Sequence, residues 1–235
     1  MSSTSMQEKA IILKILYDMD DVLWPCTQHV FGKLNIPIER ETDFRIENNP
    51  ELTPTERDAI IHEFQNADNF AEMNFYASAR DILRPEELGA MVGIHSNAYS
   101  EAIAQHKLRQ IPELLPKIRP EQLIVNVVTP QTNRKQISSD ILAFVDDSPY
   151  NIRGSRAKFN FVPRRPWNDN SLMRKVMLKN GGEIIQDSAT APLDDIWTSD
   201  DYKYIIIVDD LVTINEMIYQ LVLKLTNKEE QNGKI

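Results

Sequence analysis

Two pairs of aspartates follow apolar segments and are the residues of this sequence best suited to chemistry. Asp18 and Asp20 follow one such segment, and Asp146 and Asp147 follow another. Short apolar runs of this kind predict buried parallel strands, and ligands gather at the carboxyl ends of such strands. If the two strands are neighbours, repulsion between the carboxylates calls for a cation, and Mg²⁺ suits carboxylate and phosphate oxygens. The sequence therefore predicts that both pairs meet around one divalent cation.

The strands that must position these aspartates recur along the chain between helical stretches. Alternation of strands and helices implies parallel pairing, so the predicted fold class is α/β with a parallel sheet. Helices are predicted from about residue 99 and over residues 214–225, whereas residues 180–201 are rich in turn-forming residues. Strands are predicted at residues 10–17, 90–95, 123–128 and 141–145, with further candidates at residues 159–162 and 202–208.

A segment of different character, residues 25–79, separates the first two predicted strands. Prolines punctuate it, and Thr53 to Glu56 precede apolar residues at helical spacing, which predicts a helix with a capping box. We interpret this segment as a small helical cap. The predicted division of the chain is a mobile leader at residues 1–9, an α/β core at residues 10–24 and 80–235, and the cap at residues 25–79.

The composition limits the partners and the location that can be expected. A net charge of −9 argues against a surface for duplex nucleic acid, but not against a small phosphorylated ligand. No apolar run reaches the length of a membrane span, and residues 1–9 lack the pattern of a signal peptide. The single cysteine, Cys26, excludes an intrachain disulfide. We expect a soluble, cytoplasmic protein with no membrane partner.

Four short motifs, in order along the chain, resemble those of the haloacid dehalogenase superfamily. The first is Asp-x-Asp after a strand, here Asp18 and Asp20. The second, a strand that ends in Ser or Thr, matches Ser96, and the third, a lysine, matches Lys135. The fourth, a strand that ends in Asp-Asp, matches residues 146–147. The resemblance implies a Rossmann-like core with a parallel sheet and a small helical cap inserted after the first strand.

The resemblance also implies a reaction, the hydrolysis of phosphate esters. Asp18 would attack phosphorus and form an aspartyl phosphate. Asp20 would protonate the leaving group and then activate the water that hydrolyses the intermediate. The residues implied at the phosphate are Ser96, Asn97 and Lys135, and those implied at Mg²⁺ are Asp18, the backbone carbonyl of Asp20, Asp146 and Asp147.

Two of these assignments have competitors within the sequence. Lys107 is an alternative to Lys135 as the lysine of the third motif. Asp209 and Asp210 also follow an apolar run, as the fourth motif requires. No lysine precedes them at a matching distance, and we favour a helix start there, with the carboxylates accepting hydrogen bonds from free amides.

Within the superfamily, the sequence is similar to 5′(3′)-deoxyribonucleotidases and to related bacterial and phage 5′-nucleotidases. The likeness covers three features inside residues 11–168, the region that carries the four motifs. They are Val22-Leu23 shortly after Asp20, the 11-residue spacing from Lys135 to Asp146, and the segment Arg165-Pro166-Trp167-Asn168.

This likeness implies a nucleoside 5′-monophosphate as the substrate. Trp24 and Phe70 are then candidates for stacking on the base, although aromatic residues at helical spacing are more often core. Asp21 stands where these enzymes usually carry glycine. Two alternatives remain open: a phosphatase for another small phosphometabolite or for a 3′-phosphate end of nucleic acid, and a non-catalytic binding protein that retains the fold.

Overall fold

The centre of the protein is a parallel β-sheet, seen in a computed structural model that describes residues 12–72, 74–128, 135–186 and 203–232. The order of its seven strands is β3-β2-β1-β4-β5-β7-β6, and every pairing is parallel. This confirms the predicted α/β class. The strands are β1 Lys14–Tyr17, β2 Met91–Ala98, β3 Leu123–Val127, β4 Ile141–Val145, β5 Phe159–Pro163, β6 Glu183–Gln186 and β7 Tyr204–Val208.

The predicted strands all exist, and their boundaries differ most from the prediction at the start of β1 and at the end of β2. β1 begins at Lys14, and Ile12 before it is 58% exposed, so the apolar run starts before the buried part of the strand. β2 continues to Ala98, because residues beyond His95 still pair with β3. The predicted leader at residues 1–9 lies outside the described residues.

Helices connect the strands and cover both faces of the sheet. The helix predicted after Thr53 is confirmed with its capping box, in which Thr53 Oγ1 accepts from the Glu56 amide and Glu56 accepts from the Thr53 amide. None of the described helices combines the length and apolar character needed to cross a membrane. The α-helices are α1 Cys26–Lys33, α2 Pro54–Gln65, α3 Ala67–Glu72, α4 Glu101–Leu114, α5 Pro149–Gly154, α6 Ser171–Leu178 and α7 Leu211–Asn232, and the 3₁₀ segments are Ile38–Arg40, Ile46–Asn48, Ala77–Leu88 and Pro120–Gln122.

The aspartates that compete for the fourth motif lie at the start of α7. Asp210 directly precedes the helix, and its Oδ1 accepts from the Thr213 amide at 2.7 Å. Asp209 is exposed and pairs with Arg164 at 2.5 Å. The predicted helix start is therefore confirmed.

The hydrophobic core is divided by the sheet. Along β4, Ala143 and Val145 join one buried cluster and Phe144 joins another, as expected from the alternation of side chains along a strand. The helical insert between β1 and β2 has a third cluster of its own, which includes Val30, Phe31, Ile36, Ile46, Leu52 and Ile60. The helical insert is thus present, while its predicted limits at residues 25 and 79 stay a prediction.

The strand order reverses between β1 and β4, and this reversal positions the site. The chain runs from β1 outward through β2 to β3, and then returns to β4 on the other side of β1. Helices that follow strands on opposite sides of such a point diverge and leave a crevice at the carboxyl ends of the strands. Tyr17 pairs with Val145, so Asp18 and Asp146 leave the sheet side by side.

Candidate active site

Asp18, Asp146 and Asp147 form a group of buried carboxylates at the carboxyl ends of β1 and β4. One oxygen from each lies within 4.8 Å of the others, an arrangement that could hold a metal ion. The Asp18 amide donates to the Val145 carbonyl at 2.8 Å, which extends the pairing of the two strands into the site. The prediction that the two acidic strand ends meet is confirmed.

Hydrogen bonds fix the second acidic pair in place. Asp146 Oδ1 accepts from the Ser148 amide at 2.8 Å, and Asp146 Oδ2 accepts from Asn151 Nδ2 at 3.1 Å. Asp147 Oδ2 accepts from Trp167 Nε1 at 2.9 Å. Asn168 Nδ2 donates to the Asp147 backbone carbonyl at 3.0 Å. Trp167 and Asn168, in the segment of residues 165–168, thus hold Asp147 in place.

Burial makes Asp146 and Asp147 costly to ionise. It raises the pKa of Asp146 to about 7, although Lys135 lowers that pKa in part, and the charge of Asp18 raises it further. Burial also raises the pKa of Asp147 well above its usual value, with the charges of Asp21 and Asp146 acting in the same direction. A divalent cation would neutralise such a group, and its oxygen ligands fit Mg²⁺.

Lys135 lies between the two strand ends, in the connection from β3 to β4. Its buried Nζ lies 2.6 Å from Asp18 Oδ1 and 2.7 Å from Asp146 Oδ2. Burial alone would lower the pKa of Lys135, but the carboxylates of Asp146 and Asp18 outweigh burial and raise it. An ammonium has three donors, and these two carboxylates use two of them.

Lys107, the alternative lysine, contacts a different part of the site. It projects from α4, is fully buried, and donates to Asp20 Oδ2 at 2.6 Å, Asn97 O at 2.6 Å and Ser96 Oγ at 3.0 Å. These contacts occupy all three donors of the ammonium. The donor count favours Lys135 over Lys107 as a ligand of phosphate.

Asp20 lies apart from the three-carboxylate group. Its side chain is 31% exposed, and its Oδ1 accepts from Trp24 Nε1 at 2.7 Å while Oδ2 accepts from Lys107. The carboxyl group is therefore held on both oxygens, with part of its surface open to solvent.

The aromatic residues predicted to stack on a base are buried instead. Trp24 is 0% exposed and Phe70 is 2% exposed, and both belong to the main hydrophobic cluster. Trp24 stacks on Phe75 with ring centroids 5.1 Å apart, and its ring lies 5.7 Å from that of Phe70. Neither ring offers an open face to a substrate, so core packing corrects this prediction.

Tyr99 is an exposed aromatic residue at this edge of the sheet that the sequence reasoning missed. It is 56% exposed and follows Ala98, the last residue of β2. Its position next to the predicted phosphate ligands was the signal that could have identified it.

Asp21, at the position of the usual glycine, adopts the left-handed backbone conformation with a φ of 55°. Aspartate tolerates this conformation better than most residues. Its carboxylate accepts from the Thr27 amide at 2.8 Å and from Thr27 Oγ1 at 2.5 Å, and its carbonyl accepts from Arg165 at 2.7 Å. Asp21 thus fastens the loop after β1 to α1 and to the segment after β5.

The fold resembles several solved structures, all at low sequence identity. A haloacid dehalogenase-like family hydrolase from Streptococcus pneumoniae is 11% identical with a TM-score of 0.44, and the match covers 89% of this chain and 98% of that one. A haloacid dehalogenase-like family hydrolase from Xanthomonas campestris is 11% identical with a TM-score of 0.45, over 94% of this chain and 100% of that one. A protein described as a β-phosphoglucomutase from Bacteroides vulgatus is 11% identical with a TM-score of 0.45, over 92% of both chains.

No protein-family model and no curated protein matches the chain. Its chemistry must therefore be inferred from the residues of the site themselves.

Proposed function

We propose that this protein is a Mg²⁺-dependent phosphomonoester hydrolase that forms an aspartyl phosphate on Asp18. The observation that carries the proposal is the group of three buried carboxylates, with Lys135 beside it, at the reversal point of a parallel sheet. Buried carboxylates at such a point are suited to hold a cation when they ionise, and a cation beside the Lys135 ammonium suits a phosphate group.

In the first step, an oxygen of Asp18 attacks phosphorus in line with the ester bond. The new bond joins Asp18 to phosphorus, and the bond from phosphorus to the ester oxygen breaks with its electron pair left on that oxygen. Asp20 gives its carboxyl proton to the departing oxygen, which leaves as an alcohol.

In the second step, water hydrolyses the aspartyl phosphate. Asp20, now a carboxylate, takes a proton from the water as its oxygen attacks phosphorus. The bond from phosphorus to Asp18 breaks, and its electron pair returns to the carboxylate. The products are inorganic phosphate and the original enzyme, with Asp20 again protonated.

The remaining residues hold the phosphate group during both steps. Asp18, Asp146 and Asp147, with the backbone carbonyl of Asp20, would hold Mg²⁺, which when bound supplies positive charge to the phosphate oxygens. Lys135 donates its remaining hydrogen bond to a phosphate oxygen, and Ser96 and Asn97 complete the phosphate contacts from the end of β2.

We propose nucleoside 5′-monophosphates, including deoxynucleotides, as the substrate class. The similarity of the motif spacing to nucleotidases supports this choice, and so does Tyr99, an exposed aromatic residue two positions after Asn97. Another small phosphometabolite is the alternative, because the three-carboxylate group and Lys135 would bind the phosphate of either.

A phosphate-release screen over nucleoside monophosphates and sugar phosphates, with Mg²⁺ or with EDTA, tests the proposal. We expect Mg²⁺-dependent turnover with a preference for nucleotides. Turnover of sugar phosphates alone would favour the alternative substrate, and no release from any compound would refute phosphatase activity.

Asp18→Asn should abolish turnover, because the amide cannot act as the nucleophile. Asp140→Asn is the matched control. Asp140 is exposed, pairs with Lys14 and lies just before β4, at the amino ends of the strands and away from the site. Near-normal activity of Asp18→Asn, with phosphate released at the rate of the control, would contradict the assignment of the nucleophile.

A further inference from the structure

We propose that Lys107 and Trp24 act together as positioning residues that hold Asp20 in the orientation needed to protonate the leaving group. This inference rests on the proposed function, because it assigns Asp20 the role of general acid. It concerns how Asp20 is held, and it gives Lys107 a role other than binding the phosphate.

The two donors reach Asp20 from different parts of the chain. Trp24 Nε1 donates to Asp20 Oδ1 at 2.7 Å from within the loop after β1. Lys107 Nζ donates to Asp20 Oδ2 at 2.6 Å from the middle of α4. A carboxyl group that accepts a charged hydrogen bond on one oxygen and an indole hydrogen bond on the other cannot rotate without breaking one of them.

Both donors are themselves fixed. The loop of Trp24 is closed by a hydrogen bond from the Asp21 amide to the Trp24 carbonyl at 2.8 Å, and the indole is buried in the main core. Lys107 is anchored at the end of β2 by Asn97 O at 2.6 Å and Ser96 Oγ at 3.0 Å. A rigid support of this kind is what a catalytic group requires for accurate placement.

The placement leaves one side of Asp20 available for chemistry. Lys107 is fully buried, whereas the Asp20 side chain is 31% exposed. The two donors therefore hold both oxygens of a carboxyl group that remains partly open to solvent. Since the three donors of Lys107 are occupied, it has none left for a substrate phosphate.

The experiment compares two substrates that differ in their need for a proton. An alkyl phosphate, such as a nucleoside 5′-monophosphate, breaks its ester bond with transfer of the Asp20 proton to the alkoxide oxygen. In p-nitrophenyl phosphate the electron pair of the same bond leaves on a stable phenolate, which departs without that proton. Loss of general acid catalysis therefore slows the alkyl substrate more than the aryl substrate.

We expect Asp20→Asn to reduce kcat/KM for the alkyl substrate about 100-fold more than for the aryl substrate. Lys107→Met retains an apolar stem against Trp24 and Phe70. It should reduce kcat/KM for the alkyl substrate about 10-fold or more beyond its effect on the aryl substrate. Trp24→Phe, which removes the indole donor and keeps a smaller aromatic ring in the stack, should show this selective loss as well. In the Asp20→Asn background, Lys107→Met should reduce kcat/KM for the alkyl substrate by less than about a further threefold, because both changes remove the same function.

Inhibition by inorganic phosphate separates positioning from phosphate binding. Lys107→Met should leave the inhibition constant within about twofold of the original, whereas Lys135→Met should raise it about 10-fold or more. Lys14→Met is the control, because Lys14 pairs with Asp140 at the amino ends of the strands, away from the site. It should alter neither selectivity nor inhibition.

Three results would contradict the account in distinguishable ways. Equal losses on both substrates in Lys107→Met and Trp24→Phe, in an enzyme that is otherwise active, would refute the positioning role alone. A phosphate inhibition constant raised in Lys107→Met as in Lys135→Met would make Lys107 a phosphate ligand. An original protein that hydrolyses neither substrate with Mg²⁺ would refute the proposed function, and the positioning role with it.

Discussion

At the site, three buried carboxylates lie beside one buried ammonium group. Asp18, Asp146 and Asp147 are all less than one-tenth exposed, and Lys135 is the buried cation that contacts this group among the described residues. Buried charges that lack partners are costly, so the group is stable only with protons or with cations. Lys135 should therefore contribute most to stability when no metal is bound.

Lys135→Met should lower the free energy of unfolding in EDTA by about 2–4 kcal/mol, because it leaves two buried carboxylates without their ammonium partner. Saturating Mg²⁺ should recover part of this loss, since the cation would replace the missing charge. Urea denaturation with EDTA and with Mg²⁺ measures both quantities.

Lys14→Met is the control for this comparison. Its ion pair with Asp140 is partly exposed, and such pairs contribute at most about 1 kcal/mol. If Lys135→Met is no less stable than Lys14→Met in EDTA, the buried ion pairs of Lys135 do not contribute as described.

Glu41, a buried residue of the helical insert, should make stability depend on pH. Burial raises its pKa to about 8, although the hydrogen bond from Asn49 lowers the pKa in part, and the charges of Asp21 and Asp43 raise it. Between the ordinary pKa of a glutamate and pH 8, the unfolded chain has lost the proton that the folded chain keeps. The stability contributed by Glu41 is therefore present at low pH and is lost as the pH rises.

Glu41→Gln should reduce the fall in unfolding free energy between pH 5 and pH 8 by about 2–4 kcal/mol, since the amide resembles the neutral acid and cannot ionise. Urea denaturation across this range measures it. Glu39→Gln, at an exposed position, should leave the pH profile unchanged. Parallel profiles for the original protein and Glu41→Gln would show that Glu41 does not hold a proton in the folded state.

The sequence predicts which residues carry charge at the site, but not how their side chains pair. Asp18 and Asp146 could be identified because each follows an apolar run, and such runs end at the same edge of a parallel sheet. The contact of Lys107 with Asp20 joins residues 87 positions apart, and nothing in the local pattern specifies it. From the sequence alone Trp24 is a candidate substrate contact, because its burial depends on partners from elsewhere in the chain.

At the scale of helices and strands, local signals determine where an element begins. Thr53 and Glu56 accept from free amides at the start of α2, where Pro54 has no amide hydrogen, and Asp210 accepts from one at the start of α7. These starts were predicted correctly because capping depends on neighbours in sequence. β6 was not predicted, since four residues in a turn-rich segment carry little periodic signal, and the strand depends on pairing with β7.

Thr53→Ala should lower the free energy of unfolding by about 1 kcal/mol, because it removes the side-chain acceptor for the Glu56 amide. Chemical denaturation measures the loss. Thr55→Ala, inside the first turn of the same helix, is the matched control and should change stability by less than about half as much. Equal effects of the two substitutions would contradict the assignment of Thr53 as the helix cap.

The whole molecule depends on a strand order that local patterns do not determine. The class of sheet followed from the alternation of strands and helices. The insertion of β7 between β5 and β6 could not be predicted, because it separates strands that are consecutive in sequence. The same long-range order places β1 beside β4, and through that pairing Asp18 meets Asp146.

Titration with Mn²⁺, which accepts the same oxygen ligands as Mg²⁺, is the most direct test of this meeting. Electron paramagnetic resonance of the free ion measures how much is bound. We expect about one tight Mn²⁺ per chain in the original protein, and affinity at least about 10-fold weaker in both Asp18→Asn and Asp146→Asn. Asp209→Asn, in the acidic pair at the start of α7, should bind as the original does. Unchanged affinity in Asp18→Asn or Asp146→Asn, or weaker binding only in Asp209→Asn, would contradict a cation shared by the ends of β1 and β4.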